Sequence, residues 1–373
     1  MKEINDILKA YSEATAIGKR TALATVVKVE GSSYRQPGAR MLVTEDGELT
    51  GAISGGCLEG DALRKALLAI NQRQNKLITY DTSNEEDVEF GVQLGCNGIV
   101  HILFEYIDAT VDNNPMQLLR DLEKEREDAV VLTLFSKNRQ AAQPGTILFY
   151  RKERAIVADA IYEVLKGDCN DALAAKRSII KKIEVNKLPY EALIEYIAPP
   201  VSMVIAGAGN DVKPLVSMAT ILGWEVTVAD GRSTHATPQR FPEAKYVFIA
   251  KPNELIDKVI INSRTFFVLM THNYKYDLAL LRLLLNTDCK YIGILGPKTK
   301  LERMLDDLHN EGINITEEQL KRIYGPIGLD IGAEASEEIA VSVVAEIKAI
   351  MTGRPGTSLR YKEEKIHTAT PVV

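Results

Sequence analysis

From about residue 199 onward, short apolar runs alternate with longer amphipathic segments. Runs of about four to eight apolar residues are typical of buried strands, whereas apolar residues spaced three and four apart are typical of helices. This alternation predicts a C-terminal Rossmann-like domain, that is, a doubly wound parallel sheet with right-handed crossovers. The predicted strands cover residues 201–206, 225–230, 246–250, 265–270 and 290–295, and the last helix covers residues 337–351.

The first half of the chain has a different pattern, in which strand-like runs predominate. A polar loop rich in glycine and proline separates the first two of these runs. The Asp46-Gly47 pair then predicts a tight hairpin turn, so the arrangement is that of an α+β domain. The predicted helices cover residues 4–17 and 61–70, and the predicted strands cover residues 22–29, 39–44, 76–80 and 99–105.

The pattern of these first elements recurs later in the chain. The apolar run 129–135 resembles the run that begins at Ala22, and Gln143-Pro144-Gly145 repeats Gln36-Pro37-Gly38. A later helix and a strand ending at Ile197 complete the parallel. We interpret this as an internal duplication whose second copy has lost a glycine-framed cysteine, with chance similarity as the alternative.

The run Ala198-Pro199-Pro200 interrupts both patterns and predicts a domain boundary. We therefore expect an N-terminal domain over residues 1–198, with repeats over 1–110 and 111–198. A Rossmann-like domain is expected over residues 199–355. The polar segment 356–373 is predicted to be a loosely held tail.

Composition narrows the class of protein. The chain has 373 residues, of which 46% are hydrophobic and 26% charged, as in ordinary globular proteins. The net charge of -6 argues against a nucleic-acid-binding protein. The charged N-terminus is unlike a secretory signal and no apolar stretch is long enough to span a bilayer, so we expect a cytoplasmic protein. The 4 cysteines do not form a disulfide framework and are too few to ligate two iron–sulfur clusters.

The segment 51–61 carries the strongest chemical signal. Cys57 follows Gly55 and Gly56, precedes Glu59 by two residues, and lies at the start of an amphipathic helix. Glycines let the backbone approach a bound group closely, and a thiol in such a turn is suited to bind a soft metal or to carry sulfur. Cys96 lies in a second glycine-framed turn. A buried structural thiol is the alternative for each, and there is no zinc-binding Cys-x-x-Cys spacing.

A glycine turn between a predicted strand and helix resembles a dinucleotide-binding turn. Gly207 permits the tight turn and Gly209 permits close approach to a phosphate at the helix N-terminus. Val212 replaces the third glycine of the usual pattern. Asp230 ends the next strand at the distance expected of a ribose-binding acid, whereas Arg232 is suited to a phosphate. The alternative is a Rossmann-like domain that binds no nucleotide.

The run Thr271-His272-Asn273 follows another predicted buried strand. In parallel sheets, ligands bind at the carboxyl ends of the strands, so this position favours a functional loop. His272 is suited to act as an acid, a base or a ligand. An ordinary surface histidine is the alternative.

Two sets of motifs together resemble one known family. The N-terminal set comprises residues 31–39, 54–59 and 95–98, and the C-terminal set comprises residues 207–209, 271–274, 294–297 and 326–332. Over nearly the whole chain they resemble the xanthine dehydrogenase accessory factor (XdhC/CoxI) family. Asn210 stands where that family often has histidine.

The resemblance implies a maturation factor for a molybdenum hydroxylase such as xanthine dehydrogenase, rather than an enzyme. Such factors are thought to bind the molybdopterin-type molybdenum cofactor transiently, to protect it during sulfuration by a cysteine desulfurase, and to deliver it to the apoenzyme. A homodimer is expected, with no catalytic residue and no resident metal ion. The residues expected to hold the cofactor are Gly55, Gly56, Cys57, Glu59 and Cys96 in the first domain and Gly207, Gly209, Asp230, Arg232, His272 and Asn273 in the second.

Two other functions stay open. The Rossmann-like domain is also suited to an NAD(P)-dependent oxidoreductase with His272 as the proton donor, although the third glycine is missing. The chain is also suited to be an assembly scaffold between desulfurase and apoenzyme, with no small-molecule role. Binding of NAD(P) with turnover of a carbonyl substrate would favour the first, and partner capture by a variant unable to bind cofactor would favour the second.

Overall fold

The computed structural model describes residues 1–81, 98–138, 141–152, 154–156, 160–185 and 187–363. Contacts divide the chain into two compact units, Met1–Pro199 (the N-terminal unit) and Pro200–Val373 (the C-terminal unit). No helix in the described ranges is both long enough and apolar enough to cross a lipid bilayer.

The N-terminal unit opens with a helix and a five-stranded antiparallel sheet, called sheet A. The strand order across the sheet is β3-β2-β1-β5-β4. The first strand is buried from Thr21 to Val27, which explains its continuous apolar run. The elements are α1 (Lys2–Ala16), β1 (Thr21–Gly31), β2 (Arg40–Thr44), β3 (Leu49–Gly51), α2 (Glu59–Gln72), β4 (Lys76–Asp81) and β5 (Gly98–Ile107).

A second antiparallel sheet, called sheet B, repeats this arrangement. Its strand order is β8-β7-β6-β10-β9, so each strand has a counterpart at the same place in sheet A. The helix α4 corresponds in chain order to α2. The internal duplication itself stays a prediction from the sequence. The elements are α3 (Pro115–Lys124), β6 (Ala129–Phe135), β7 (Gly145–Arg151), β8 (Arg154–Ile156), α4 (Ala160–Ala175), β9 (Ile179–Val185) and β10 (Leu188–Ile197).

The two sheets pack face to face, and each carries a helix on its outer face. Val27 and Leu103 of sheet A meet Phe135 and Leu193 of sheet B in a buried cluster. The helix α2 packs on the other side of sheet A, and α4 packs on the other side of sheet B. Each central strand is therefore covered on both faces, which removes apolar surface from water.

Two buried glutamates link the halves reciprocally. Glu195 of β10 forms an ion pair with Arg40 of the first half, in which Nη1 lies 3.0 Å from Oε1. Glu105 of β5 accepts hydrogen bonds from the Thr146 backbone nitrogen, at 2.6 Å, and from its hydroxyl, at 3.0 Å, in the second half. The equivalent strands β5 and β10 thus each send a carboxylate into the other half, but only one of the two meets a cation directly.

The repeated Gln-Pro-Gly motif receives these carboxylates. A Cβ at Gly38 would lie 2.4 Å from Glu195 Oε1, and a Cβ at Gly145 would lie 2.4 Å from Glu105 Oε1. Both glycines also have positive φ, 96° and 87°. Only glycine fits such a position without displacing the carboxylate, so the repeated motif serves packing between the halves.

The C-terminal unit contains a six-stranded parallel sheet with the order β13-β12-β11-β14-β15-β16. Helices cover both faces, with α5 and α10 in one core and α6, α7 and α8 in the other. This is the predicted doubly wound, Rossmann-like fold. The elements are β11 (Ser202–Ala206), α5 (Val212–Ile221), β12 (Glu225–Asp230), β13 (Tyr246–Ile249), α6 (Pro252–Lys258), β14 (Thr265–Leu269), α7 (Tyr274–Leu284), β15 (Tyr291–Ile294), α8 (Lys298–Asn310), α9 (Glu317–Leu320), β16 (Ile323–Tyr324) and α10 (Ser336–Met351).

Candidate functional site

Several N-terminal motifs lie at one end of sheet A. There β1 ends at Gly31, which pairs with Gly98 at the start of β5, and β4 ends opposite Ile99. Cys57, in the turn before α2, packs against the core cluster of sheet A, as Val29 of β1 does. The loop after β1 touches the turn before α2. Loops and turns that are distant in sequence therefore form one surface.

The Cys57 turn is held by its own side chains. Glu59 accepts a hydrogen bond from the Ser54 backbone nitrogen at 2.9 Å, and the Ser54 hydroxyl donates to the same carboxylate. The Ser54 hydroxyl oxygen in turn accepts hydrogen bonds from the backbone nitrogens of Gly56 and Leu58, each at 3.1 Å. Glu59 also lies in the first turn of α2, where a negative charge is favourable. Its carboxylate thus braces the turn that presents Cys57.

Cys57 differs from the other cysteines that the structure describes. It is a free, half-buried thiol just before α2 begins, whereas Cys169 and Cys289 are fully buried. Burial raises the pKa of Cys169 to about 12 and raises that of Cys289 as well. These two are inert structural thiols. Among the cysteines that the structure describes, Cys57 is therefore the accessible one. Cys96 lies outside the described residues.

The two glycines before Cys57 leave its backbone open. Gly56 has a φ of 105°, and a Cβ there would meet nothing within 4 Å. Gly55 faces the ring of Tyr34, whose carbon Cγ would lie 3.4 Å from a Cβ at that position. The turn is therefore open beside Gly56 and lined by an aromatic ring beside Gly55.

A charged cluster at the ends of β1 and β6 was not found from the sequence. His101 lies between Thr79, whose hydroxyl is 2.9 Å from Nδ1, and Glu30, whose Oε1 is 3.1 Å from Nε2. Lys137 of the second half also bonds Glu30, at 2.5 Å. Burial lowers the pKa of His101, and the hydrogen bond from Lys137 is the main cause that lowers the pKa of Glu30 to about 2. Pairing within sheet A brings Thr79, His101 and Glu30 together, and the packing of the halves adds Lys137.

The C-terminal unit offers a second region, at the carboxyl ends of β11 and β14. The sheet order changes direction between these two strands, which is where ligands bind in doubly wound folds. Gly207 has a φ of 126°, and a Cβ there would lie 2.4 Å from the carbonyl oxygen of Met270. Glycine is therefore required, because the turn passes directly against the end of β14.

Asp230 and Arg232 are engaged with each other and with the turn. Asp230 Oδ2 accepts a hydrogen bond from the Ala208 backbone nitrogen at 3.0 Å, and the Arg232 guanidinium donates to both carboxylate oxygens, at 2.8 and 3.0 Å. Burial acts to raise the pKa of Asp230, but the hydrogen bonds from Arg232 outweigh it and hold the pKa below its usual value. Asp230 thus anchors the glycine turn.

His272 faces the same turn from the end of β14. It has a φ of 54°, and its Nε2 lies 2.9 Å from Asp211 Oδ2. The other oxygen of Asp211 would lie 2.2 Å from a Cβ at Gly209. A protein carboxylate therefore covers the glycine that a phosphate would approach. Asn273 caps α7 by accepting a hydrogen bond from the Tyr276 backbone nitrogen at 3.2 Å.

Sequence reasoning missed further residues in this region. Arg240 donates to the Ala208 carbonyl oxygen at 2.8 Å and to Asn210 Oδ1 at 2.9 Å, so it fixes the outer side of the turn. Lys300 forms an ion pair with the fully buried Asp277 at 2.8 Å. No local motif marks these long-range contacts.

Comparison with known proteins places the chain in a family. A family model described as the XdhC Rossmann domain matches residues 203–347, and one described as the XdhC and CoxI family matches residues 14–81. A Bacillus subtilis protein whose name describes it as a probable component of xanthine dehydrogenase is 31% identical over 347 residues, which cover 88% of this chain and 92% of that protein. The chain belongs to the XdhC and CoxI family.

One further relative and one solved structure are similar to this chain over most of its length. The Escherichia coli protein named molybdenum cofactor insertion chaperone PaoD is 23% identical over 344 residues, covering 92% of this chain and 87% of that protein. A Bacillus halodurans crystal structure, described as that of a xanthine dehydrogenase, superposes with a TM-score of 0.75 at 28% identity. It covers 96% of this chain and 98% of its own. The resemblance seen in the motifs is thereby confirmed at the level of the family.

Proposed function

We propose that this XdhC and CoxI family member is an accessory factor that binds the molybdenum cofactor and inserts it into a molybdenum hydroxylase such as xanthine dehydrogenase. The observation that carries the proposal is the accessible Cys57 thiol in an open glycine turn. Thiolates bind soft metals and carry sulfur, which suits a molybdenum–sulfur cargo. The name of the relative PaoD supports the same cargo.

In this proposal the N-terminal unit handles the metal end of the cofactor. Cys57 contacts the cargo, Gly55 and Gly56 allow its close approach, and Glu59 holds the turn through Ser54. Cys96 is proposed as a second cofactor thiol on the strength of the motif resemblance. The cofactor is cargo, so it would be held transiently.

For the C-terminal unit we propose a site of its own at the carboxyl ends of its strands, suited to a pterin or a nucleotide. Gly207 and Gly209 shape the turn, and the exposed side chains of His272 and Arg232 lie beside it, paired with Asp211 and Asp230. Asp230 and Asn273 act indirectly, because their oxygens already accept backbone hydrogen bonds.

Delivery requires partners that follow from the chemistry of the cargo. We propose a cysteine desulfurase as the sulfur source and an apo molybdenum hydroxylase as the acceptor, with the chain acting as a homodimer. Protection would follow if the bound cofactor were kept from water and oxygen during the transfer.

Isothermal titration with purified molybdenum cofactor under anaerobic conditions tests the binding. The unaltered chain is expected to bind saturably, and the Cys57→Ala, Cys96→Ala double variant is expected to bind at least about ten-fold more weakly, because metal–thiolate contacts are lost. Cys169→Ala is the matched control, since it removes a thiol from a buried helix position. Equal affinity of the double variant would refute the cysteine role.

The oxidoreductase alternative makes a different prediction. It requires saturable NAD or NADP binding and turnover of a carbonyl substrate. The Asp211 carboxylate over Gly209 disfavours a pyrophosphate at that place, because like charges repel. Tight NAD(P) binding by the unaltered chain, measured by thermal shift, would support this alternative.

A further inference from the structure

Tyr34 is an aromatic side chain on the surface beside the Cys57 turn. It lies in the loop between β1 and β2, and the residue is 67% exposed. Three of its ring carbons, Cγ, Cδ1 and Cδ2, would lie 3.4, 3.5 and 3.6 Å from a Cβ at Gly55. Similar distances to three ring atoms mean that one face of the ring lies over the glycine. With one face against the glycine, the high exposure of the residue leaves ring surface open to water.

The loop that carries Tyr34 is fixed on both sides. The next residue, Arg35, forms an ion pair with Glu3 of α1, and Glu3 also accepts a hydrogen bond from the Arg40 backbone nitrogen at 3.1 Å. Further along, the Gly38 backbone nitrogen donates to the Val26 carbonyl oxygen at 2.8 Å. On the other side, β1 pairs with β5 up to its last residue. The ring therefore stands on a pre-ordered base, so binding against it would cost little loop entropy.

The base below the ring is equally well ordered. Gly55 lies inside the turn that the Ser54 and Glu59 side chains hold together, one residue from the open backbone of Gly56. A large aromatic ring exposed to water on such a rigid support has apolar surface that a flat ligand would cover. Cys57 follows two residues after Gly55, in the same turn.

We infer that Tyr34 is a stacking platform for a planar, conjugated heterocycle bound beside Cys57. This inference rests on the proposed function and assigns the ring system of the cofactor, rather than its metal, to Tyr34. Aromatic rings hold flat heterocycles through face-to-face contact, which does not require the tyrosine hydroxyl. Gly55 lies behind the ring, at a distance where an added methyl group would make ordinary van der Waals contact with it.

Anaerobic titration of the full chain with purified molybdenum cofactor tests this inference. Tyr34→Phe is expected to bind as the unaltered chain does, and Tyr34→Ala is expected to bind about ten-fold or more weakly, the usual effect of losing a stacking partner. Tyr361→Ala is the matched control, because Tyr361 is 76% exposed and lies in the other unit. Far-ultraviolet circular dichroism checks that Tyr34→Ala remains folded.

A fluorescence measurement gives a second readout that does not depend on affinity. The chain has a single tryptophan, Trp224, so Trp224→Phe provides a dark background into which Tyr34→Trp introduces one indole. Cofactor stacking is expected to quench that indole, whereas an indole from Tyr361→Trp in the same background should be unaffected. Equal binding by Tyr34→Ala, or no selective quenching, overturns the inference and leaves the proposed function intact. No binding by the unaltered chain refutes the proposed function, and the inference falls with it.

Discussion

The carboxyl group of Glu105 offers a sharp test of how the two halves of the N-terminal unit are held together. It is buried at 1% exposure, and its direct hydrogen-bond donors are the backbone and hydroxyl of Thr146. Arg40 acts on it only at longer range. Its counterpart Glu195 instead bonds Arg40 directly. Glu105 is therefore a buried acid in largely neutral surroundings.

The magnitude follows from the pKa. Burial is the main cause that raises the pKa of Glu105 from 4.5 to about 7, against the hydrogen bonds from Thr146 and the charge of Arg40, which lower it. At about 1.4 kcal/mol per unit, this shift corresponds to at most about 3 to 4 kcal/mol. Because the folded-state pKa is raised, this contribution to stability is fully present below pH 4.5 and is lost as pH rises through about 7.

The variant Glu105→Gln keeps an oxygen acceptor for Thr146 and removes the charge. As pH rises from about 5 to about 8, the unaltered chain is expected to lose stability relative to this variant. The difference between their free energies of unfolding should grow by about 2 to 3 kcal/mol in favour of the variant. Urea unfolding followed by far-ultraviolet circular dichroism measures this difference. Trp224, in the core of the C-terminal unit, provides an internal reference by fluorescence.

The matched control is Glu195→Gln, at the equivalent strand position. That variant leaves the buried guanidinium of Arg40 without its carboxylate, so it should lose about 3 to 5 kcal/mol at both pH values. Parallel stability curves for Glu105→Gln and the unaltered chain would refute the reasoning, because they would mean that Glu105 stays charged at no cost when the protein is folded.

Three further predictions concern the two candidate regions. Gly207→Ala should lower the free energy of unfolding of the C-terminal unit by at least about 2 kcal/mol, measured by tryptophan fluorescence. Gly312 has a positive φ but no close neighbour, so Gly312→Ala should lower it by about 1 kcal/mol, and equal losses would contradict this. Ser54→Ala should lower the free energy of unfolding by about 1 to 2 kcal/mol and should speed the alkylation of Cys57 by iodoacetamide, measured by mass spectrometry. An unchanged alkylation rate would show that the Ser54 hydroxyl does not hold the turn. Asp211→Asn should tighten binding of NADH about ten-fold by fluorescence, and unchanged binding would mean that the carboxylate does not exclude phosphate.

The sequence predicted the central strands of the C-terminal unit well, because buried strands are continuous apolar runs. Predicted and observed bounds of β11 and β12 agree within one residue. The edge strand β16 has only two residues and no readable period, so it was missed. The short strands β3 and β8 were missed for the same reason.

The candidate sites were harder to predict than the fold. Glycine and cysteine positions are marked by local motifs, so Cys57 and Gly207 could be singled out from the sequence. The partners that fix a site come from distant parts of the chain, as Glu30 with Lys137 and Asp211 with His272 show. Asp211 adjoins a helix start in the sequence, and nothing there indicates that its carboxylate covers Gly209.

The central claim is that this chain carries the molybdenum cofactor through the Cys57 turn and hands it to a hydroxylase. The most direct measurement mixes cofactor-loaded chain with an apo-xanthine dehydrogenase and follows the recovery of hydroxylase activity in the presence of air. Loaded unaltered chain is expected to restore activity that an equal amount of free cofactor does not, and chain carrying Cys57→Ala is expected to restore far less. Equal recovery from free cofactor, from the unaltered chain and from Cys57→Ala would contradict the claim.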